Sequence, residues 1–220
     1  ASMLSNAFLK SGFQLSVPAT GRVNFIADAL SIVRLDVEKI KSLNEIDEAI
    51  TFATIMPDQL VTAGQMIATL KIIPYAVSQS SIDAALSVIS NSDLVSCHTI
   101  VSRKFSLIQT SFEDTKPSII RATEDVTRTR LSHLNCPLID SQLTDHTASK
   151  VHNALIRARA QGAEAFLLCG ASAIADRLDI LPEALRMVGG DVIHLGLPVD
   201  PGNLSICLLY TSDAADETCR

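Results

Sequence analysis

Apolar and polar positions follow two different periods along the chain, and the period changes several times. From residue 37 to residue 49, apolar side chains recur every three to four positions behind Asp36, which predicts an amphipathic helix with Asp36 as its N-cap. Residues 50–56 and 67–73 are rich in β-branched side chains and predict a hairpin-like pair of strands. Ser80 or Ser81 is predicted to cap a further helix.

The polar cluster at residues 90–92 predicts a boundary between two domains. Residues 1–95 are expected to form a small α+β domain, whose function the sequence does not indicate, and residues 96–206 an α/β domain. In this second domain the patterns predict strands at residues 98–108 and 136–139 and helices at residues 119–134 and 146–161, the last of them capped by Thr144 or Asp145.

Residues 165–204 carry the most informative pattern. An apolar run at residues 166–169 ends in the small residues 170–173 and is followed by a helical pattern, which predicts a strand, a loop and a helix. A second apolar run, at residues 192–197, precedes Pro201-Gly202-Asn203, a turn signature with free backbone N–H groups at Gly202 and Asn203. Both strands are expected in one sheet. Ligands of open α/β sheets bind at the carboxyl ends of strands, so both loops should line one crevice.

The first of these loops has the composition that a phosphate ester requires. Its residues are Gly170, Ala171, Ser172 and Ala173. Small side chains let backbone N–H groups approach a ligand closely, and the N-terminus of the following helix favours negative charge. Ser172 adds a hydroxyl donor. Asp176 or Asp179 could hold Mg²⁺, which prefers one or two carboxylates together with phosphate oxygens. The alternative for Asp176 is an exposed ion pair with the neighbouring Arg177.

The order of these motifs resembles a known family. Gly170-Ala171-Ser172-Ala173, Asp179, Pro182-Glu183-Ala184, Gly189-Gly190 and Pro201-Gly202-Asn203 follow one another as in the molybdopterin-binding domain of molybdenum-cofactor biosynthesis proteins. That family includes molybdopterin adenylyltransferase and molybdopterin molybdotransferase. The resemblance extends over residues 21–204. The adenylyltransferases carry Gly-Gly-Thr-Gly where this chain has residues 170–173, and an alanine Cβ narrows the approach of a triphosphate, which favours binding over catalysis.

The resemblance assigns roles to further residues. In the adenylyltransferases an aspartate at the position of Asp145 works with the one matching Asp179 to hold magnesium at the nucleotide phosphates. The resemblance therefore implies that Asp145 and Asp179 are catalytic and bind the metal, with a helix cap as the alternative for Asp145. It also implies that Thr110, Ser111 and Lys116, in the loop after the first strand, contact the pterin, with an ordinary capped turn as the alternative.

The family fold is a three-layer α/β/α domain with a mostly parallel sheet, and the resemblance implies that this chain is incomplete at its C-terminus. Residues 207–220 look like the translation of a transposon-type sequencing adaptor read through in frame. We expect this tail to be non-native and to pack against little. The final strand, loop and helix of the family would then be missing.

Composition narrows the classes of partner. The net charge is −6, and the richest basic cluster, at residues 121–130, is interrupted by acids, so nucleic acid is not an expected partner. No apolar run approaches the roughly 20 residues of a membrane span. The five cysteines are an odd number without a C-x-x-C pair, which suggests reduced thiols. A cytoplasmic location is therefore expected.

The sequence leaves three functions open. The leading expectation is binding of molybdopterin or its nucleotide conjugate in molybdenum-cofactor biosynthesis, with Mg²⁺-dependent nucleotidyl or molybdate transfer as the catalytic form. A second is a non-catalytic cofactor-binding module of a larger nucleotidyltransferase fusion, and a third is a generic nucleotide-binding α/β domain. The absence of a Gly-x-Gly-x-x-Gly or a Walker loop counts against the third. The partners left open are a small pterin phosphate, a second copy of the chain and a fused nucleotidyltransferase domain.

Overall fold

A computed structural model describes residues 1–9, 11–90, 93–200 and 202–209. The chain divides into two compact units between Val101 and Ser102 rather than after residue 95. The boundary comes later because the strand Val95–Thr99 pairs with Ser31–Leu35 of the first unit. The single strand predicted at residues 98–108 is therefore two strands, Val95–Thr99 and Phe105–Ser111, which belong to different units.

The first unit is built on two antiparallel sheets. Its elements in chain order are α1 (Ser2–Asn6), β1 (Phe13–Leu15), β2 (Arg22–Ala27), β3 (Ser31–Leu35), α2 (Val37–Asn44), β4 (Ile50–Thr54), β5 (Leu60–Val61), β6 (Met66–Ile72), α3 (Gln79–Ser90) and β7 (Val95–Thr99). The strand orders of the two sheets are β1-β2-β6-β4 and β5-β3-β7.

The predicted start of α2 is confirmed, and its end comes earlier than predicted. The Asp36 carboxylate accepts the backbone N–H of Lys39 at 3.1 Å, as an N-cap does. The helix ends at Asn44 because the amide of this side chain binds β4. Asn44 Nδ2 donates to the Phe52 carbonyl at 3.0 Å, and Asn44 Oδ1 accepts the Phe52 N–H at 2.7 Å. The predicted pairing of residues 50–56 with 67–73 is confirmed by the antiparallel pair of β4 and β6.

The predicted cap of α3 is wrong by two or three residues. Ser80 and Ser81 lie inside the helix, and Ser78 Oγ accepts the Ser81 N–H at 3.1 Å. Serines at all three positions could make this contact, so the sequence alone did not decide between them.

Aromatic rings form the centre of the first unit. Phe25 contacts Phe8, Phe13 and Phe52, with ring centroids 4.9 to 5.2 Å apart. All four rings are buried and belong to one apolar cluster that both sheets and the helices share. Edge-on and tilted ring pairs of this kind add stabilisation beyond the burial of apolar area.

The second unit has an α/β architecture around a parallel sheet. Its elements in chain order are β8 (Phe105–Ser111), α4 (Pro117–His133), β9 (Leu138–Asp145), α5 (Ala148–Ala160), β10 (Ala165–Cys169), α6 (Ile180–Met187), β11 (Asp191–Leu195) and β12 (Ile206–Leu209). The three parallel strands have the order β10-β8-β9, and a separate antiparallel pair joins β11 to β12.

The strand β9 is longer than predicted, which corrects the start of α5. Thr144 and Asp145 pair with Thr110 and Ser111 of β8 instead of capping a helix. The N-cap of α5 is Thr147, whose N–H donates to the Asp145 carbonyl at 2.8 Å. Because the pairing of β9 with β8 continues to Asp145, the strand includes two residues that the sequence pattern assigned to the helix start.

The prediction that the strands near residues 166 and 192 share one sheet is wrong for the described residues. β11 pairs with β12, and β10 pairs with β8. The strand β12 contains residues 207–209 of the predicted adaptor tail, so this part of the tail is paired with β11. Residues 210–220 lie outside the described part of the chain, as does Pro201.

The core of the second unit holds the sheet against two helices. Val151, Ala154, Leu155 and Ala158 form the buried face of α5. They share one apolar cluster with Ile108 of β8 and with Leu181 and Ala184 of α6. This packing fixes the carboxyl ends of the parallel strands, from which the loops of interest emerge. No helix among the described residues has both the length and the apolar character needed to cross a membrane.

Candidate functional site

Three side chains meet where the three parallel strands end. Thr110 is the penultimate residue of β8, His146 follows β9, and Ser172 lies in the loop after β10. Thr110 Oγ1 lies 2.8 Å from His146 Nδ1, and Ser172 Oγ lies 2.9 Å from His146 Nε2. The imidazole, which follows the outer strand β9, therefore contacts both Thr110 on the central strand β8 and Ser172 in the loop after the other outer strand, β10. We call Thr110, His146 and Ser172 the strand-end cluster.

Strand register explains why these residues meet. Thr110 is opposite Thr144 in the β8–β9 pair, and Gln109 is opposite Cys169 in the β8–β10 pair. All three strands therefore end at nearly the same level, as the carboxyl ends of parallel strands can. The ring of Phe112 contacts the His146 ring edge-on, with centroids 5.1 Å apart, and helps to fix its orientation.

Gly170 permits the tight turn that brings the loop back to the sheet. A Cβ at this position would lie 2.8 Å from the carbonyl oxygen of Ser172 and 3.2 Å from Leu181 Cδ1. The next residue, Ala171, donates its N–H to Thr110 Oγ1 at 2.8 Å. The small size of Gly170, predicted to let a ligand approach the loop closely, is thus also required by the turn of the loop itself.

Three backbone donors of the loop have no protein partner. Within the described chain, the N–H groups of Ser172, Ala173 and Ile174 donate to no protein acceptor. Ser172 and Ala173 are exposed, so a ligand can approach this part of the loop. A short run of unpaired N–H groups at the end of a parallel strand is a common binding element for phosphate.

Asp179 serves the loop as a structural cap. One carboxylate oxygen, Oδ2, accepts the Ala175 N–H at 3.0 Å, and the other, Oδ1, accepts the Ile180 N–H at 3.1 Å at the start of α6. These two backbone donors lower the pKa of the Asp179 carboxyl group, and the nearby His146 imidazole lowers it further. Both oxygens of the predicted metal ligand are therefore already hydrogen-bonded.

Asp176 also binds its own loop. Its Oδ1 accepts the Leu178 N–H at 2.6 Å, while Arg177 donates to the Val192 carbonyl at 2.8 Å. The ion pair that Asp176 and Arg177 could have formed is not among the salt bridges of the described residues.

Asp145 and Ser111 share a separate cavity with His146. They line a cavity of about 390 Å³ together with Phe112, Glu113, His146 and Thr147. Asp145 is adjacent to His146 in sequence, and Asp179 is close enough to His146 for the imidazole to lower the pKa of its carboxyl group. Among the described residues there is no group of three or more His, Cys, Asp or Glu side chains placed to hold a metal. The metal-binding pair of Asp145 and Asp179 stays a prediction.

Two further cavities flank the loop. One, of about 440 Å³, is lined by Thr110, Lys116, Gly170 and Ala171 together with residues of α4. The other, of about 550 Å³, is lined by Gly170, Ser172 and Ala173, by apolar side chains of β10 and by residues 204–207. Lys116, one of the predicted ligand contacts, thus shares a cavity wall with the loop.

The turn at Gly202 and Asn203 belongs to the β11–β12 connection. The Asn203 carbonyl accepts the Leu197 N–H at 3.2 Å, and the Gly202 carbonyl accepts the Ser205 N–H at 2.9 Å. Neither residue lines the 550 Å³ cavity, which the following residues reach instead. Among the described residues, the wall of this cavity therefore includes the end of the connection and neither Gly202 nor Asn203.

His146 is the site residue that the sequence did not indicate. The hydrophobic pattern placed it at the start of the helix predicted at residues 146–161 and not at the end of a strand. Half-buried and exposed positions alternate along residues 138–145 in the structure, but the sequence LIDSQLTD does not alternate apolar and polar side chains and so gave no such signal. A strand through Asp145 puts the next residue at the edge of the sheet, beside the ends of its neighbours.

Comparisons with known proteins add no further constraint. No protein-family model matches the chain, and no curated protein matches it.

Proposed function

We propose that the second unit binds a phosphorylated small molecule at the carboxyl ends of its parallel strands, and that this ligand is molybdopterin or its nucleotide conjugate. The observation that carries the phosphate part is the row of unpaired N–H groups at residues 172–174 beside the Ser172 hydroxyl. The pterin part rests on the family resemblance of residues 170–173 and the motifs that follow them.

A three-layer α/β/α fold is part of this proposal. Side chains of adjacent strand residues point to opposite faces of a sheet. Ile108 of β8 packs in the cluster that contains α5, while Gln109 Nε2 donates to the Ile120 carbonyl of α4 at 3.1 Å. Helices on both faces of β8 support the layered arrangement.

The cavities around the loop suit a ligand with one anionic and one flat apolar part. The 550 Å³ cavity has walls from Phe166, Leu168, Ile174 and Leu181 next to Ser172. Pockets for cofactors are usually lined in this way, with a few polar groups that set orientation. A heterocyclic ring against these side chains would leave its phosphate at the loop.

The donor set favours binding over metal-dependent transfer. Mg²⁺ needs carboxylate oxygens that face the phosphate, and one backbone N–H on each oxygen of Asp179 holds this carboxylate against its own loop. The residues therefore fit a phosphate held by N–H and O–H donors better than one held through a metal. The function that we favour is accordingly a non-catalytic cofactor-binding module, with nucleotidyl or molybdate transfer as the catalytic alternative.

Calorimetric titration with molybdopterin tests the proposal, with inorganic pyrophosphate as a probe of the phosphate site alone. Ser172→Asp should lower both affinities by at least about tenfold, because a carboxylate then faces the phosphate. Ser132→Asp is the matched control, since it adds the same charge at an exposed residue of α4 that lines none of the three cavities. Equal affinities for Ser172→Asp and the native chain would refute the site. Binding of pyrophosphate but not of molybdopterin would favour a generic nucleotide-binding domain.

A further inference from the structure

The hydroxyl group of Thr110 has two hydrogen-bond partners in the described chain, and it must serve both. Its oxygen accepts the Ala171 N–H at 2.8 Å, and it lies 2.8 Å from His146 Nδ1. Only 3% of the Thr110 surface is exposed, so water is not a ready alternative partner. A hydroxyl group has one hydrogen to donate, and leaving it unpaired in a buried position costs free energy.

This requirement fixes the direction of the bond to His146. If Nδ1 carried a hydrogen, Thr110 would accept from both Ala171 and His146, and its own hydrogen would have no acceptor among the described residues. If Nδ1 is bare, the Thr110 hydroxyl donates to it and every group is paired. The network therefore leaves Nδ1 bare and places the ring hydrogen on Nε2.

The same direction passes on to Ser172. With a hydrogen on Nε2, His146 donates to Ser172 Oγ across the 2.9 Å contact. The serine hydroxyl hydrogen is then directed away from the ring, and Ser172 is exposed. We propose that His146 is a positioning residue which, through a one-way chain from the Ala171 N–H through Thr110 and His146, holds Ser172 as a hydrogen-bond donor to the ligand.

This inference deepens the proposed function and rests on it for the identity of the ligand. With one lone pair of Ser172 Oγ used by His146, the Ser172 hydroxyl and the N–H groups of Ser172 and Ala173 offer the ligand three donors. This set favours an acceptor such as a phosphate oxygen over an ammonium or amide N–H at the same point. It also argues against Ser172 as a nucleophile, because a protonated Nε2 cannot take the serine hydrogen.

The tautomer can be measured on the intact chain without any ligand. Long-range ¹H–¹⁵N correlation spectra distinguish a bare ring nitrogen from a protonated one, and the His146 signals are assigned by their loss in His146→Gln. We expect a bare Nδ1 and a protonated Nε2. A hydrogen on Nδ1, or on both nitrogens at neutral pH, would overturn the proposal.

Variants of Thr110 supply a second readout. Thr110→Val keeps the shape and removes the hydroxyl, so affinity for inorganic pyrophosphate should fall about fivefold or more. Thr110→Ser restores the hydroxyl and should stay within about twofold of the native affinity. Thr123→Val, at a threonine lining the same cavity as Thr110, should have no effect. Equal losses in Thr110→Ser and Thr110→Val would indicate a packing role and refute the chain of donors.

The two proposals fail differently. If the native chain shows the expected tautomer but binds no pyrophosphate, the chain of donors stands and the phosphate site is wrong. If pyrophosphate binds to a chain with a protonated Nδ1, the phosphate site stands and the role of His146 is wrong.

Discussion

Ser172 Oγ lies 2.9 Å from His146 Nε2, although the two residues are 26 positions apart and follow different strands. The contact exists because β9 and β10 both lie parallel to β8 and end beside it. A substitution in any one of the three loops should therefore alter the conformation of the other two.

Gly170→Ala should distort the loop and weaken ligand binding. The added methyl group would lie 2.8 Å from the Ser172 carbonyl oxygen, a backbone atom that can yield only if the loop moves. We expect a loss of about 1 to 3 kcal/mol in the free energy of unfolding, as for other overpacked sites, and a clear loss of pyrophosphate affinity. Urea unfolding and calorimetric titration measure the two effects.

Gly162→Ala separates backbone strain from crowding. Gly162 has a φ of +91°, but no atom outside its chain neighbours lies within 4 Å of the position that a Cβ would take there. This variant should also lose stability, by about 1 kcal/mol, because an L side chain is strained at that φ. It should bind pyrophosphate like the native chain, and a matched loss of binding would show that the Gly170 effect is not local.

The second unit should lose stability in acid partly through Asp179. Backbone N–H groups of Ala175 and Ile180, and then the His146 imidazole, lower the pKa of this carboxyl group in the folded state. Because the pKa is lower in the folded state, ionised Asp179 stabilises the fold at pH values above the unfolded pKa of about 3.9. This stabilisation is lost as the pH falls through the folded-state pKa. Melting temperatures measured between pH 6 and pH 2.5 should fall less steeply for Asp179→Asn than for the native chain. Parallel curves would contradict the assignment.

Removal of metal separates the two forms of the proposed function. If N–H and O–H donors hold the phosphate, EDTA should change pyrophosphate affinity by less than about twofold, since no metal shares the site. The contrary result is a strong loss of pyrophosphate affinity with EDTA that added Mg²⁺ reverses and that Asp145→Asn no longer shows. That result would support Asp145 and Asp179 as a metal-binding pair. Ser111→Ala, which alters the same cavity wall as Asp145 without removing a charge, serves as the control.

Adjacent positions of α5 should differ sharply in their effect on stability. Leu155 is 1% exposed in the core of the second unit, and Ile156 is 45% exposed. Leu155→Ala should cost about 2 to 5 kcal/mol, because it leaves a cavity where the helix meets the sheet. Ile156→Ala should stay within about 1 kcal/mol. Urea unfolding followed by a signal from the second unit measures both, and equal costs would contradict the packing of α5.

Local signals in the sequence predicted much of the fold. Asp36 caps α2 as its side chain and position indicated, the strand before Gly170 is β10, and the α/β class of the second unit is confirmed. These features depend on neighbours in sequence, such as a side chain and the N–H three positions later. Gly170 also meets a local requirement, because a Cβ at this position would crowd the tight turn of its own loop.

Features that depend on distant pairing were missed. Thr144 and Asp145 have the composition of a helix start, and only their ladder with Thr110 and Ser111 makes them strand. The same ladder places His146 in the site, so the histidine could not be found before the strand was extended. The strand β11 was assigned to the wrong sheet because an apolar run does not specify which partner it pairs with.

The distances along the chain also set the order in which the site can fold. The Ala171 N–H reaches the hydroxyl of Thr110, a residue 61 positions away in sequence, whereas α5 forms from neighbours. Closing so long a segment carries an entropy cost that comes before the contact can stabilise anything, and non-local pairings slow folding. The strand-end cluster should therefore appear only after the parallel sheet has closed. Recovery of ligand binding after a jump out of denaturant would then mark the last step of folding rather than the first collapse.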